Sequence, residues 1–240
     1  MSIKNPKMSN KISNSEPVLE IVAARGVWKS HIDEQYVLKG VDLTIHEGEF
    51  VMILGRSGAG KTTLLKLIGL LERFSRGELV VFGRNAKELG EEDRAKMRLD
   101  KMGFVFQALN LVPHLTAREN IEVPLWLRGV ESSKRRAKAL ELLSRFELGH
   151  LQGRLPSQMS LGEQQRVAVL RAIANDPQLL LADEPAAHLD EDNASQLFKL
   201  MNDLNREMGM CIISTTTSAD EAEVANLRYS LSHGILKRLQ

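Results

Sequence analysis

One octet, Gly55-Arg56-Ser57-Gly58-Ala59-Gly60-Lys61-Thr62, constrains this chain more than any other feature. It follows the apolar run Phe50-Val-Met-Ile-Leu54 and leads into Thr62 to Leu71, where apolar residues occupy most faces. The run reads as a buried strand stopped at Gly55, and the following segment as a core helix. Glycines at this spacing let the backbone curl, so that successive N–H groups converge on phosphate oxygens. Lys61 is placed to reach the β- and γ-phosphates, and Thr62 to offer its hydroxyl to Mg2+. The dipole of the next helix adds to the same anion site. Strand, loop and helix form the context the motif requires. The sequence therefore predicts a phosphate-binding loop over Gly55, Arg56, Ser57, Gly58, Ala59, Gly60, Lys61, Thr62 and Thr63.

A second apolar run, Leu179-Leu-Leu-Ala182, ends in Asp183-Glu184-Pro185. At the carboxyl end of such a strand, where an open α/β sheet binds its ligands, Asp183 can hold Mg2+ directly or through water. Glu184 is suited to orienting or activating an attacking water. Gly103 to Phe106 and Met210 to Ile213 read as further strands, and the long helical segments between them favour parallel pairing. Between about Leu109 and Asn175 the texture becomes helical. Over Lys134 to Leu148 an apolar stripe (Ala137, Leu140, Leu143, Leu148) is bordered by a basic, solvated face. Leu19 to Ile45 and Tyr229 to Leu239 look like strand pairs, and Ser232-His-Gly-Ile235 has the form of a hairpin turn.

Lys+Arg at 32 against Asp+Glu at 31 gives no bulk electrostatic case for nucleic acid as a partner. The single cysteine, Cys211, excludes an internal disulfide framework and reads as a small buried hydrophobe. No stretch approaches the roughly 18–20 apolar residues of a membrane span. Met1 to Pro17 is rich in Ser, Asn and Lys without an apolar core, so residues 1–17 are expected to form a disordered tail rather than a secretory signal. A cytosolic chain is expected. His46, His114, His150 and His233 form no metal-ligand spacing.

At Ser160-Leu161-Gly162-Glu163-Gln164-Gln165-Arg166, then Val167 to Ala174 and Asp176-Pro177, the chain resembles the signature segment of the ABC ATPases. Gln107 after Gly103-Phe-Val-Phe106, and Leu189-Asp190 after the acidic motif, carry the resemblance over about residues 19–240. Gly103 to Leu125 looks closest to the lipoprotein-release, macrolide-export and cell-division branch. The resemblance implies an α/β P-loop NTPase core of the ABC ATPase type over residues 18–240. It also implies an N-terminal antiparallel β subdomain and an α-helical lobe at about 109–170. ATP and Mg2+ would be the ligands, with Thr62, Asp183 and Gln107 serving the metal. Two subunits would pair head to tail as a homodimer or a heterodimer. Ser160, Gly162 and Glu163 of one would then cap the γ-phosphate bound by the other, and Asp190 would lie in the loop crossing the interface. An integral membrane permease would dock near Gln107 to Leu125, with Leu111 and Leu115 as probes. The chain would sit on the inner face of the cell membrane.

Three positions depart from the family pattern. Leu161 replaces the first of two usual glycines, tolerable where its side chain points away from phosphate. His31 aligns with the aromatic that stacks on adenine, and reads equally as a surface loop residue. After the last core strand the family carries a catalytic His. Here the run is Ser214-Thr215-Thr216-Thr217, with Thr217 in that position and Thr216 as the alternative. A threonine hydroxyl is shorter than imidazole and bears no charge near neutral pH. His188 falls in the crossing loop and reads as structural. The expectation is an ATPase driving a separate membrane subunit, with catalysis by Glu184, Gln107, Lys61 and Thr217. The alternative is a regulatory subunit that binds ATP and hydrolyses it poorly. A third reading, an ABC-type protein acting on nucleic acid, lacks the expected tandem cassettes or coiled-coil insertion.

Overall fold

The computed structural model describes residues 20–30 and 36–239. The expected tail and His31 lie outside the described residues. Two sheets organise the rest. A four-stranded antiparallel sheet has the order β2 (Tyr36–His46), β1 (Glu20–Ser30), β4 (Arg76–Val81), β5 (Arg84–Asn85). A six-stranded sheet runs β10 (Ile235–Arg238), β9 (Leu227–Ser232), β3 (Phe50–Leu54), β8 (Cys211–Thr216), β7 (Leu179–Ala182), β6 (Met102–Val105). In the second sheet every pairing is parallel except β9 with β10. That pair turns at His233 and Gly234, whose φ values of 50° and 79° give the positive pair that a tight hairpin demands.

The near-continuous apolar strands of the six-stranded sheet follow from burial on both faces. Alternate residues sort to two separate cores. Phe50, Met52, Leu180, Ala182 and Ile212 face one, while Val51, Ile53, Leu179, Leu181 and Ile213 face the other. The second core also takes β1, β2 and the helix α1 (Lys61–Ile68). Cys211 belongs to it, fully buried, and burial pushes its thiol up to about 12. Each large side chain so enclosed contributes about 1.5–3 kcal/mol.

The first core is covered by helices: α3 (Ala117–Leu127), α4 (Ser132–Arg145), α5 (Leu161–Ile173) and α6 (Glu191–Met208). Between β5 and β6 lies α2 (Glu91–Lys101), and α7 (Ala219–Ala222) follows β8. Helix α5 packs on α3 and also against β6 and α6, so the helical segment and the sheet share this element. Some bounds differ from expectation. Helix α1 stops at Ile68, capped by Gly69, because Leu70 turns left-handed at φ 57°. Helix α4 ends at Arg145, before Glu147 at φ 60°, and β8 extends three residues past Ile213 to Thr216.

Candidate active site

The site forms at the carboxyl edge of the parallel strands, the usual ligand edge of such a sheet. Gly55 to Gly60 leaves β3 and enters α1, with Gly60 at φ 103°, a conformation open to glycine and costly elsewhere. Thr63 sits in the first turn of α1. Lys61, only 4% exposed, turns back under the loop. Its Nζ donates to Gly55 O (2.6 Å) and Arg56 O (3.1 Å) and pairs with Glu184 Oε1 at 2.9 Å. These contacts use all three donors of the ammonium group.

Asp183 follows β7 directly and is 8% exposed. Thr62 Oγ1 donates to its Oδ2 at 2.6 Å, across 121 positions of sequence. Thr215 Oγ1 donates to its Oδ1 at 2.7 Å. The same Thr215 oxygen accepts from the backbone N–H of Glu184 at 2.9 Å. Glu184 itself holds φ 44°, a left-handed geometry that costs a non-glycine residue about 1–3 kcal/mol and tends to mark functional positions. Thr62, Asp183, Lys61 and Glu184 are thus brought together. Thr215 joins them, a residue the sequence reading passed over.

The other expected site residues are distributed around this cluster. Gln107 lies just beyond β6 and is exposed. Thr217 is exposed and lines one cleft with Gly55 to Ala59 and with Ser230 to His233. Thr216 is turned inward instead, 2% exposed, donating to Glu221 Oε2 at 2.5 Å. Of the two aligned threonines, the one facing the loop is therefore Thr217. His188 is exposed.

Ser160, Gly162 and Glu163 stand on a separate element, the start of α5. Ser160 is its N-cap: its Oγ accepts from Glu163 N at 3.2 Å, and Ser160 N donates to Glu163 Oε2 at 2.8 Å. This reciprocal cap explains the Ser and the Glu three positions apart without any ligand. The Ser160 amide holds the Glu163 carboxyl below the usual range, with His150 at 3.3 Å as a smaller cause. Leu161 is 44% exposed, directed away from the core. Gly162 is buried against Asn193, whose Oδ1 lies 2.1 Å from where a Cβ would stand. Asn193 Nδ2 in turn donates to both carboxylate oxygens of Asp190, the N-cap of α6. Gly162 and Asp190 are therefore linked through one carboxamide. A second contact unmarked in the sequence is Arg171, whose Nη1 and Nη2 donate to Asn110 O (2.5 Å) and Leu109 O (2.8 Å), just beyond Gln107.

A loop of backbone amides at a helix N-terminus, a buried lysine and an adjacent hydroxyl–carboxylate pair match the parts used to bind and transfer a terminal phosphoryl group. The comparisons agree. The family description ABC transporter matches residues 38–187. The chain is 38% identical over 228 residues to the lipoprotein-releasing system ATP-binding protein LolD of Alcanivorax borkumensis, covering 95% of this chain and 100% of that relative. It is 40% identical over 223 residues to the LolD 2 protein of Caulobacter vibrioides, covering 93% and 98%. Among solved structures, a dimeric ATP-binding cassette in a post-hydrolysis state, bound to ADP and Pi, superposes with a TM-score of 0.83 at 38% identity, over 92% of this chain and 99% of that one. The sheet topology, the phosphate loop with its acidic partners and these relatives agree: the chain belongs to the ABC transporter family, as one of its ATP-binding ATPase cassettes.

Proposed function

We propose that this cassette hydrolyses ATP with Mg2+ to drive a separate integral membrane permease, working as a dimer on the inner face of the cell membrane. The observation that carries this reading is the convergence of Lys61, Thr62, Asp183 and Glu184 within single hydrogen-bond distances. Mg2+ fits the donor set, because Thr62 and Asp183 offer hard oxygens only. Thr62, Asp183 and Gln107 would hold it, and when bound it supplies neutralisation of charge on the phosphates. Gly55 to Thr63 and Lys61 bind the polyphosphate. Glu184, already set in a fixed backbone geometry, orients the attacking water and accepts its proton. Ser160 and Gly162 complete the site of the opposite subunit, and Asp190 lies in the crossing loop. ATP gripped by both subunits favours the closed dimer by its differential affinity.

The permease has a docking surface to match. Val112 and Leu127, 39% and 60% exposed, line one groove together with Phe104, Phe106 and Pro124. Leu111 packs against the core, so Val112 and Leu127 are cleaner docking probes than the Leu111 and Leu115 expected from sequence. No helix among the described residues is long and apolar enough to cross a membrane.

The test is steady-state ATP hydrolysis by the full chain, alone and with its membrane partner, beside Glu184→Gln. The variant is expected to bind a fluorescent ATP analogue normally and to lose at least about 100-fold in turnover, the lower end of a general base's contribution. Undiminished turnover would remove Glu184 from the chemistry. A second reading, a regulatory subunit holding ATP with slow hydrolysis, draws on Thr217, which lines the loop's cleft with a short, uncharged side chain. It is favoured if the unmodified chain binds nucleotide yet shows no turnover in either state.

A further inference from the structure

We propose that Thr215 is a positioning residue for hydrolysis, setting the metal-binding and water-orienting carboxylates through one hydroxyl. This rests on the roles given above to Asp183 and Glu184. A hydroxyl has one hydrogen to give and two lone pairs to accept with. Thr215 gives its hydrogen to Asp183 Oδ1 and accepts the N–H of Glu184, while itself only 1% exposed. Asp183 is thereby held at both oxygens, by β8 through Thr215 and by α1 through Thr62. The orientation of Oδ2 toward Thr62 is fixed from the opposite side, by a strand in the middle of the sheet. The second bond anchors the peptide of Glu184 in its left-handed turn, which sets where that carboxylate starts.

The strand itself does not require this hydroxyl. Valine has the same shape and an equal or better preference for a buried parallel strand. The neighbouring Ser214 shows that β8 tolerates a hydroxyl with no function in view: its Oγ is buried with no hydrogen-bond partner. Among the described residues the side-chain bonds of Thr215 go to the two acidic residues, so the hydroxyl holds the site rather than the strand. Removing them leaves Asp183 free to rotate away from Thr62 and the Glu184 peptide free to relax. Metal capture and the chemical step then weaken together, while phosphate binding by the loop persists.

The experiment uses the full chain and compares Thr215→Val, Thr215→Ser and Ser214→Ala. A fluorescent ATP analogue is titrated in Mg2+ and in EDTA, and turnover and melting temperature are measured in parallel. Thr215→Val is expected to lose about 10-fold of the Mg2+-dependent gain in affinity and about 30-fold in kcat, the scale of one hydrogen bond to a charged group. Its affinity in EDTA should stay within about twofold. Thr215→Ser should restore both losses to within about threefold, and Ser214→Ala should match the parent chain. Should Thr215→Val fail to fold, Thr215→Ala is read in its place. Parent-like metal response and kcat in the valine variant overturn the inference; so does an equal loss in the serine variant, which would assign the effect to the methyl group. Glu184→Gln separates the two levels. If it is inactive while Thr215→Val is unchanged, only the inference fails. If it retains full turnover, the underlying reading falls and the inference with it.

Discussion

Gly162 shows how much one absent methyl group can do. An alanine there would put its Cβ 2.1 Å from Asn193 Oδ1 and 2.5 Å from Cγ, distances no contact tolerates. Asn193 cannot simply swing aside, because its Nδ2 is tied to both oxygens of Asp190 at 3.0 and 2.9 Å. Gly162→Ala is therefore expected to break the Asn193–Asp190 link and cost about 1–3 kcal/mol, the range for an overpacked site. Turnover should fall more than stability, since Asp190 lies in the proposed crossing loop. The check is the double variant Gly162→Ala with Asn193→Ala. Recovered stability there identifies the clash as the cause, whereas an additive loss would point to backbone freedom instead. Such contacts divide what sequence reveals from what it hides. The phosphate loop is legible because its glycines have no other use at that spacing. Asp183 and Glu184 are legible because carboxylates ending an apolar strand need a reason. Thr215 and Asn193 stay hidden, since a β-branched residue in a strand and a polar residue in the first turn of a helix are already explained by local preference.

Among the elements, α5 carries the densest set of demands. Its first turn is closed by the Ser160–Glu163 cap, its middle packs against α3, β6 and α6, and its last turn meets the loop after Gln107. Ser160→Ala should cost about 1 kcal/mol, as for other helix caps. In a chain of this length that is a fall of about 2–4 °C in melting temperature. The cap also makes a pH prediction. Bonded by the Ser160 amide, Glu163 titrates in the folded chain below its ordinary 4.5. A depressed carboxyl stabilises fully above its unfolded value and loses that stabilisation as pH falls through the folded one. The parent should thus melt above Glu163→Gln at pH 7, and the gap should close only below about pH 4.5. A gap constant down to pH 3 would assign the effect to packing rather than charge. The resemblance of Ser160 to Arg166 to the ABC signature segment makes such a helix expected from sequence. It does not show that α5 belongs to both the helical segment and the sheet, because burial on two sides arises only once the chain has folded.

For the whole molecule, the question is how the apolar groove communicates with the phosphate loop. Two side chains at the far end of α5 hold the walls of that groove. Asn175 Nδ2 donates to Leu99 O (3.1 Å) and Pro124 O (3.2 Å), joining α2 and α3. Arg171, its pKa lowered by burial, grips the carbonyls of Leu109 and Asn110 and lines the same groove as Phe104, Val112 and Leu127. A partner pressed into that groove bears on a guanidinium that holds the stretch beyond Gln107. A helix transmits such a displacement along its axis with little bending, and α5 begins at the Ser160 cap. Coupling needs a two-state element that both sites bias, and that makes α5 the element to test. Arg171→Met keeps the length of the side chain and removes both bonds. It should lower stability by about 1–3 kcal/mol, the cost of losing hydrogen bonds to a charged group. Basal turnover should stay within about threefold, because Lys61, Thr62, Asp183 and Glu184 hold one another without Arg171. Stimulation by the reconstituted membrane partner should drop several-fold, and Arg171→Lys, with one cation but no planar fork, should recover only part of it. Stimulation that survives intact in a less stable variant would make Arg171 a packing clamp. The signal from the groove would then have to travel through Gln107 and the β6 end of the sheet.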